Sequence, residues 1–335
     1  MIAFSYQGRS QSLATGMVWR GVPSADTYRD TAASDLWSLV RTVESGVPWR
    51  EAVRAQYQAA NPWLCRIVTD PSRDFFLRQY PITAGSRILD VGAGWGQYSL
   101  PLARENEVVS VEPTPERLAF IHAAARQEGV AGRIHFLEAD FFDLSFDHCF
   151  DYACCIGVLE WVPKFRQGDP WQLQCEFLRR IRAGLKPGGM LILGIENRMG
   201  LKYLMGAPDD HSGYPAIAVY DAALALEKHR ERTAQELRCF TYTDAELGAL
   251  LRASGFSAHS FYAAFPDYKL PAQILPFDDV IEKALEDGAP FVEEHDGSCG
   301  AELVIQRELR SHYRSLAQIG IARHFAPSFF VAATA

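Results

Sequence analysis

The sequence has no paired-cysteine pattern, no long basic run and no long apolar run, and each absence excludes a class of protein. Seven cysteines are scattered without a CxxC pair, which argues against a disulfide framework and favours a reducing cytoplasm. Lysine and arginine number 33 against 41 aspartates and glutamates, so the net charge of -8 disfavours nucleic acid as a partner. No window approaches the ~20 apolar residues that span a bilayer, and the amino terminus lacks the features of a secretory signal. We expect a cytoplasmic protein that binds neither nucleic acid nor membrane.

From residue 87 onward, short apolar runs alternate with amphipathic runs. The apolar runs predict strands at 87–91, 108–112, 134–138, 150–156 and 190–195, with later strands at 257–263 and 329–332, and the amphipathic runs predict helices near 97–105, 115–128 and 171–184. Strands that are apolar throughout and separated by helices indicate a parallel sheet covered on both faces. The sequence therefore predicts an α/β fold: a Rossmann-like, doubly wound, mostly parallel sheet of seven strands.

Segments outside this alternation predict additions to the core. Residues 1–82 read as an N-terminal helical cap or lid, and residues 83–335 hold the core. The alternation lapses at about 197–242 and again at about 265–325, which predicts two insertions. Such covers exclude water and favour a discrete acceptor over an exposed protein surface.

A glycine-rich turn follows the first core strand, in the run Asp90-Val91-Gly92-Ala93-Gly94-Trp95-Gly96-Gln97. Glycines let the backbone turn tightly and approach a ligand at a helix N-terminus. A dinucleotide fingerprint would need glycine where Gln97 stands, so a nicotinamide dehydrogenase is disfavoured. Glu112, at the end of the second strand, could hold a ribose diol in either class of cofactor.

Five motifs in order resemble those of class I S-adenosylmethionine-dependent methyltransferases. They are Asp90-x-Gly-x-Gly-x-Gly, Glu112, Leu137-Glu138-Ala139-Asp140, Ile156-Gly157-Val158-Leu159-Glu160-Trp161 and Leu185-Lys186-Pro187-Gly188-Gly189. The resemblance implies S-adenosylmethionine as cofactor and S-adenosylhomocysteine as product. It implies these cofactor-binding residues: Asp90, Gly92, Gly94, Trp95, Gly96, Tyr98, Glu112, Pro113, Asp140, Phe141, Ile156, Gly157, Glu160 and Trp161.

Aromatic residues lie in or beside the predicted cofactor loops, at Trp95, Tyr98, Phe141 and Trp161. A sulfonium carries positive charge without hydrogen-bond donors, so aromatic faces can surround it. Packing in the core is the alternative for each of these side chains.

The acceptor side is predicted in the segments that follow the fifth and sixth strands, 196–211 and 265–271. Both resemble methyltransferases of bacterial polysaccharide and natural-product pathways. A hydroxyl acceptor must lose its proton, and His211 is the preferred base, with Asp210 and Glu196 as further catalytic candidates. A solvated turn is the alternative for the Asp-Asp-His run. The substrate candidates are Asn197, Arg198, Tyr203, Asp209 and Tyr268.

No metal site is predicted from the sequence. The run Glu293-Glu294-His295-Asp296 lies in a loop followed by glycine, as solvated surface runs do, and no histidine pair stands at ligand spacing on a predicted helix.

The leading hypothesis is methyl transfer to a small molecule or a sugar unit, at oxygen. One alternative is a cyclase or lyase that consumes S-adenosylmethionine and releases methylthioadenosine. Another is a non-catalytic binding protein of the same fold. The acceptor, the methylated atom and a homodimeric assembly stay open.

Overall fold

The computed structural model of the chain describes residues 1–22, 26–287 and 300–335, and of residues 300–308 it describes the backbone alone. Its strands and helices, in chain order, are β1 (Ile2–Tyr6), β2 (Arg9–Leu13), β3 (Val18–Arg20), α1 (Ala33–Glu44), α2 (Trp49–Tyr57), α3 (Pro62–Thr69), α4 (Phe75–Gln79), β4 (Arg87–Val91), α5 (Ser99–Leu102), β5 (Glu107–Val111), α6 (Pro115–Gln127), β6 (Ile134–Glu138), β7 (Leu144–Ser145), β8 (Phe150–Ile156), α7 (Pro170–Gly184), β9 (Leu185–Glu196), α8 (Leu201–Leu204), α9 (Ala222–Thr233), α10 (Asp244–Ala253), β10 (Ala258–Phe265), β11 (Gln273–Pro276), α11 (Asp279–Glu286), α12 (Gly300–Gln318) and β12 (Ser328–Thr334).

The chain divides into two compact units. The first comprises Met1–Val158, Phe177–Ile192 and Thr334–Ala335, and the second comprises Leu159–Glu176 and Leu193–Ala333. In the parts of the chain that the structure describes, no helix is both long enough and apolar enough to span a membrane.

The first unit is built on a parallel sheet. Its strand order is β9-β8-β4-β5-β6-β3, with β4 paired in parallel to both β8 and β5, and β6 paired in parallel to β5 and β3. Strand β4 is buried from its second residue onward, and β6 is buried throughout, because every side chain on these strands meets a covering layer. The predicted α/β fold is therefore confirmed, and the carboxyl ends of β4, β5 and β6 share one edge.

The amino-terminal segment differs from the predicted helical cap. Its first twenty residues form three strands: β1 pairs antiparallel with β2 and β7, and β3 joins the parallel sheet. Helices begin only at Ala33, and α1 packs on α6. Part of the predicted cap thus belongs to the sheet itself.

The second unit contains its own strands and a helical segment. Its strand order is β11-β10-β12-β9, with β10 and β11 antiparallel, so the strands predicted at 257–263 and 329–332 are neighbours. Helix α10 starts with a complete capping box, in which Thr243 and Glu246 bond each other's backbone N–H groups. The predicted insertion at 197–242 holds α8 and α9, and that at 265–325 holds β11, α11 and α12.

Candidate active site

The glycine loop leaves β4 at Asp90, whose carboxylate is buried. Ser99 Oγ donates a 2.5 Å hydrogen bond to Asp90 Oδ2 and ties the strand to the start of α5. Burial raises the pKa of Asp90 to about 6, because the Ser99 hydrogen bond offsets only part of the lost hydration. The nearby charges act in opposite directions: Glu112 raises this pKa further and Arg73 lowers it.

Changing Asp90 to asparagine tests this titration. The folded-state pKa lies above the unfolded value of 3.8, so the folded protein binds the extra proton and loses stability as pH rises from about 4 to about 6. Asparagine has no charge to bury. We expect wild-type stability to fall relative to Asp90→Asn by about 3 kcal/mol across that window, and to stay level above it. Urea unfolding at several pH values measures the difference, and two parallel stability curves would contradict it.

Gly92 and Gly94 shape the loop. Both have positive φ, +69° and +58°, which side chains other than glycine's rarely adopt. A Cβ on Gly92 would lie 2.7 Å from Val158 Cγ2, whereas a Cβ on Gly94 would meet nothing closer than 3.8 Å. Gly92 is therefore required by conformation and by space, and Gly94 by conformation alone.

Glu112 follows β5 and fixes the glycine loop directly. Its Oε2 accepts a 2.9 Å hydrogen bond from the Gly94 N–H, and its Oε1 accepts a 3.0 Å bond from the Thr114 N–H. Burial raises the pKa of Glu112, while the charge of Arg117 opposes the shift. Glu112 thus positions the loop, and its contact with a ribose stays a prediction.

Asp30, which sequence reasoning missed, connects the amino-terminal segment to the loop. Its Oδ2 accepts a 3.0 Å hydrogen bond from Trp95 Nε1, and its Oδ1 lies 2.6 Å from Arg117 Nη2. Arg117 is buried on the same face of α6 as Ile121. An arginine on an otherwise apolar helix face was the available signal for a buried acidic partner.

The Trp95 side chain was predicted to lie beside the cofactor, but it packs in the core. It is buried and packs edge-on against Tyr57 and Phe120, at centroid distances of 5.9 and 5.2 Å. The alternative of core packing describes this indole, because its N–H is already bonded to Asp30. The Trp95 backbone N–H is also engaged, because it donates a 3.2 Å hydrogen bond to Gln97 Oε1.

Other predicted cofactor residues of the first unit lie at the carboxyl ends of its strands. Phe141 is buried and packs against Phe177, which agrees with the alternative of core packing. Asp140 accepts a 2.9 Å bond from the Phe142 N–H and caps a short 3-10 turn. Tyr98 is also buried, and burial raises the pKa of its hydroxyl to about 12. The remaining members are Gly96 and Gly157 with positive φ, buried Ile156 and half-buried Pro113.

The second unit holds the polar cluster, which consists of Glu160, Glu196, Lys202, Asp209, Asp210, His211 and Lys269. Glu160, Glu196 and Asp209 are buried, whereas Asp210 is exposed. The imidazole of His211 is at the centre of the cluster: Nε2 lies 3.6 Å from Glu196 Oε2 and 3.9 Å from Glu160 Oε1. Its Nδ1 lies 4.0 Å from Asp209 Oδ2. Trp161 packs edge-on against the same ring, at a centroid distance of 5.0 Å. The sequence candidates Glu160, Glu196, Asp209 and His211 therefore converge.

Charge determines the protonation of the cluster. Burial alone would lower the pKa of His211, but the charge of Glu196 and contacts with Asp209 and Glu160 raise it to about 10. The imidazole then keeps its proton at neutral pH, which argues against the general base predicted at His211. Burial raises the pKa of Glu160.

Two lysines that the sequence analysis did not select complete the cluster. Lys269 pairs with Glu196 and, at 3.3 Å, with Asp210, while Lys202 lies 2.9 Å from Asp210. These charges outweigh burial and lower the pKa values of Glu196 and Asp210. Asp210 is therefore an ion-pair partner rather than a helper of His211. The signal that could have identified Lys269 was a lysine between apolar residues at 268 and 270.

Asn197 and Arg198, predicted to contact substrate, have structural partners instead. The buried Asn197 amide donates 2.9 Å bonds to the carbonyls of His324 and Ala326 and accepts a 3.0 Å bond from the Met199 N–H. Arg198 forms a two-pronged ion pair with Glu246, at 2.7 and 2.8 Å. These groups are therefore occupied in holding the second unit together.

Tyr203 and Tyr268 were predicted as substrate residues, and both are buried in the second unit. The Tyr203 hydroxyl has no hydrogen-bond partner among the described residues. Lysine ammonium groups lie over both rings, Lys202 at 4.7 Å from the Tyr203 centroid and Lys269 at 4.8 Å from the Tyr268 centroid. The run 293–296 lies outside the described residues.

Replacing Asn197 by alanine tests its structural role. The substitution leaves two carbonyls and one N–H unsatisfied in a buried position, so we expect a loss of about 2–4 kcal/mol of stability. Thermal and urea unfolding measure it, and S-adenosylmethionine affinity should be unchanged. Wild-type stability combined with lost turnover would instead restore the substrate role.

Residues 88–189, which include the glycine loop and Glu112, match the family model described as a methyltransferase domain. This segment is therefore a class I, S-adenosylmethionine-dependent methyltransferase domain. The predicted class and its cofactor are thereby confirmed.

Curated relatives are ubiquinone biosynthesis O-methyltransferases. That of Rickettsia conorii is 29% identical over 120 residues, which cover 36% of this chain and 38% of the relative. That of Aeromonas salmonicida is 30% identical over 146 residues, covering 43% and 54%. The match thus spans less than two thirds of these relatives.

Solved structures also resemble the chain. Phosphoethanolamine N-methyltransferase 2 of Haemonchus contortus, in complex with S-adenosylmethionine, aligns with a TM-score of 0.46 at 15% identity, over 88% of this chain and 59% of that one. A Thermotoga maritima methyltransferase described as a possible histamine N-methyltransferase aligns with a TM-score of 0.43 at 16% identity, over 89% and 99%.

Proposed function

We propose that the chain transfers the methyl group of S-adenosylmethionine to a hydroxyl oxygen of a small molecule or a sugar unit. The observation that carries the proposal is the buried Glu112 carboxylate, which holds the Gly94 N–H at the carboxyl end of the parallel strands. Open α/β sheets bind ligands at this end. Both residues lie inside the segment that matches the methyltransferase domain.

The proposed reaction is an in-line displacement. The acceptor oxygen forms a bond to the methyl carbon while the carbon–sulfur bond breaks, and the electron pair of that bond stays on sulfur. The sulfonium becomes the neutral thioether S-adenosylhomocysteine, and the acceptor proton passes to a base. Alignment of the two reactants supplies most of such an acceleration, and a positioned base adds to it.

The choice of oxygen rests on two lines of support. The curated relatives that match the domain are named as O-methyltransferases. The second unit also contains buried carboxylates, Glu160 and Glu196, that could take up a hydroxyl proton. In the polar cluster of the second unit, Glu196 and His211 hold charge. The buried free thiols of Cys154 and Cys175 fit a cytoplasmic protein.

Mass spectrometry with methyl-labelled S-adenosylmethionine tests the proposal. Incubated alone, the cofactor should stay intact. With a panel of phenols and monosaccharides, one acceptor should gain a labelled methyl group while S-adenosylhomocysteine accumulates in equal amount. Methylthioadenosine formed without an acceptor would contradict methyl transfer and identify cleavage of the cofactor itself. Absence of cofactor binding would contradict both.

A further inference from the structure

Three donor atoms converge inside the polar cluster. One ligand atom each from Glu160, Glu196 and His211 lies within 4.8 Å of the other two. The three residues come from a 3-10 turn at Leu159–Phe165, the end of β9 and the loop after α8. Hydrogen bonds between nitrogen and oxygen measure about 2.7–3.2 Å. The His211 Nε2 distances of 3.6 and 3.9 Å exceed that range, so neither carboxylate is hydrogen-bonded to the ring.

The carboxylates at this point lack hydrogen bonds. Within the described part of the chain, neither Glu160 oxygen has a hydrogen-bond partner, and the same is true of Glu196 Oε2. Glu160 is 0% exposed and Glu196 is 1% exposed. A buried carboxylate oxygen without a partner costs free energy. A single ion is small enough to bond all three donors.

The charge of the cluster is unbalanced. Within the described residues, the carboxylates of Glu160, Glu196, Asp209 and Asp210, together with Asp267 at 3.5 Å from Lys269, face two lysines, Lys202 and Lys269. The carboxylates exceed the lysines by three, and the proton on His211 reduces this excess to two. A divalent cation that takes the place of that proton reduces the excess to one.

The surroundings of two donors match those of metal ligands. A histidine that binds a metal usually directs its second ring nitrogen at a carboxylate or carbonyl. His211 Nδ1 faces Asp209 Oδ2 at 4.0 Å while Nε2 faces the two glutamates. Glu196 is bonded through Oε1 to Lys269, which leaves Oε2 directed at His211.

From these contacts we propose that Glu160, Glu196 and His211 bind one divalent cation of the Mn²⁺ or Zn²⁺ class. Carboxylates suit Mn²⁺, imidazole suits Zn²⁺, and a mixed set accommodates either. Ligands about 2.0–2.2 Å from an ion lie about 3–3.5 Å apart, so each side chain needs to move by less than about 1 Å. The proposal replaces the sequence-based expectation of no metal. A hydroxyl oxygen bound to the ion would favour its deprotonated form, and this role, unlike binding, rests on the proposed methyl transfer.

Metal binding is measured on the full chain without acceptor or cofactor. Protein stripped with EDTA is titrated with Mn²⁺, and electron paramagnetic resonance follows the loss of the free-ion signal. Equilibrium dialysis with Zn²⁺ and elemental analysis give the stoichiometry. We expect one ion per chain, and a higher melting temperature with the ion than without it.

Three variants locate the site. Glu160→Gln and His211→Gln each replace a strong ligand by a neutral, weakly ligating amide, and each should weaken Mn²⁺ binding at least about 100-fold, beyond the 10- to 100-fold typical of residues that only orient ligands. His324→Asn is the matched control, because His324 also lies beside a carboxylate, at 3.2 Å from Asp244, but on the surface. The control should bind Mn²⁺ as wild type does.

The melting temperature of each metal-free protein shows whether a loss of metal binding arises from misfolding. Glu160→Gln replaces a buried charge that lacks hydrogen bonds, so its metal-free melting temperature should equal or exceed that of the metal-free wild type. Wild-type protein that binds no ion, or Glu160→Gln that binds Mn²⁺ like wild type, would overturn the proposal. S-adenosylmethionine affinity measured on the same samples reports on the first unit, so failure of metal binding with cofactor binding intact would leave methyl transfer standing.

Discussion

Replacing Glu112 by alanine is expected to weaken S-adenosylmethionine binding by roughly 10- to 100-fold. The carboxylate accepts hydrogen bonds from the N–H groups of Gly94 and Thr114, and both lose their partner in the variant. Hydrogen bonds to a charged group contribute about 1.5–3 kcal/mol, and about 1.4 kcal/mol corresponds to tenfold in affinity. Loss of the expected ribose contact acts in the same direction. Isothermal titration calorimetry with protein checked for folding by circular dichroism measures the change.

Glu107→Ala is the matched control for this prediction. Glu107 stands at the amino end of the same strand, where it pairs with Arg87 at 3.1 Å and His135 at 2.8 Å. Its removal should lower stability and leave cofactor affinity within about twofold, because ligands of parallel sheets bind at the other end. Equal loss of affinity in both variants would indicate a general defect of the sheet and refute the specific role of Glu112.

Replacing Gly92 by alanine is expected to destabilise the first unit by about 2–5 kcal/mol. A positive φ costs a residue with a Cβ about 1–2 kcal/mol, and overpacking costs about 1–3 kcal/mol more. The overpacking arises because the new methyl group would lie 2.7 Å from Val158 Cγ2, and β-branched side chains move little. Urea unfolding midpoints and cofactor affinity should both fall.

Two further variants separate conformation from crowding. Gly94→Ala changes φ at a position with open space and should cost only the conformational part. Val158→Ala in the Gly92→Ala background should recover the packing part, about 1–3 kcal/mol. If the double variant is no more stable than Gly92→Ala alone, crowding against Val158 is not the cause.

The core strands could be predicted from the sequence because burial on both faces leaves an unmistakable apolar pattern. The predicted runs 87–91, 134–138 and 150–156 coincide with β4, β6 and β8. Helix α6 was equally clear, since Pro115 begins it and its apolar residues recur at helical spacing.

The amino-terminal strands could not be predicted in the same way. Strand β2 has the sequence Arg9-Ser10-Gln11-Ser12-Leu13, with one buried residue, so no alternation identifies it. Strand β3 has three residues and is defined by pairing with β6, more than a hundred positions away. Such strands form because they pair with other strands, and a local sequence pattern does not identify those strands.

At the candidate site, the sequence identified which residues take part more readily than it identified what each of them does. Glu160, Glu196 and His211 were selected, but their convergence depends on three distant segments, so the sequence showed no metal-ligand spacing. Asn197 was assigned to substrate because a polar residue at a strand end suggests a ligand. Its actual partners, the carbonyls at 324 and 326, are remote in sequence.

The hydrogen bonds of Asp30 mean that the recognisable methyltransferase segment is not an autonomous module. A protein trimmed to begin at residue 83 would lose Asp30 and, with it, the partner of both the Trp95 indole and the buried Arg117 guanidinium. It would also expose the edge of β6 that β3 covers. Gene fusions or domain grafts that transplant this catalytic module should therefore carry the amino-terminal segment with it, and a chimaera without it should aggregate.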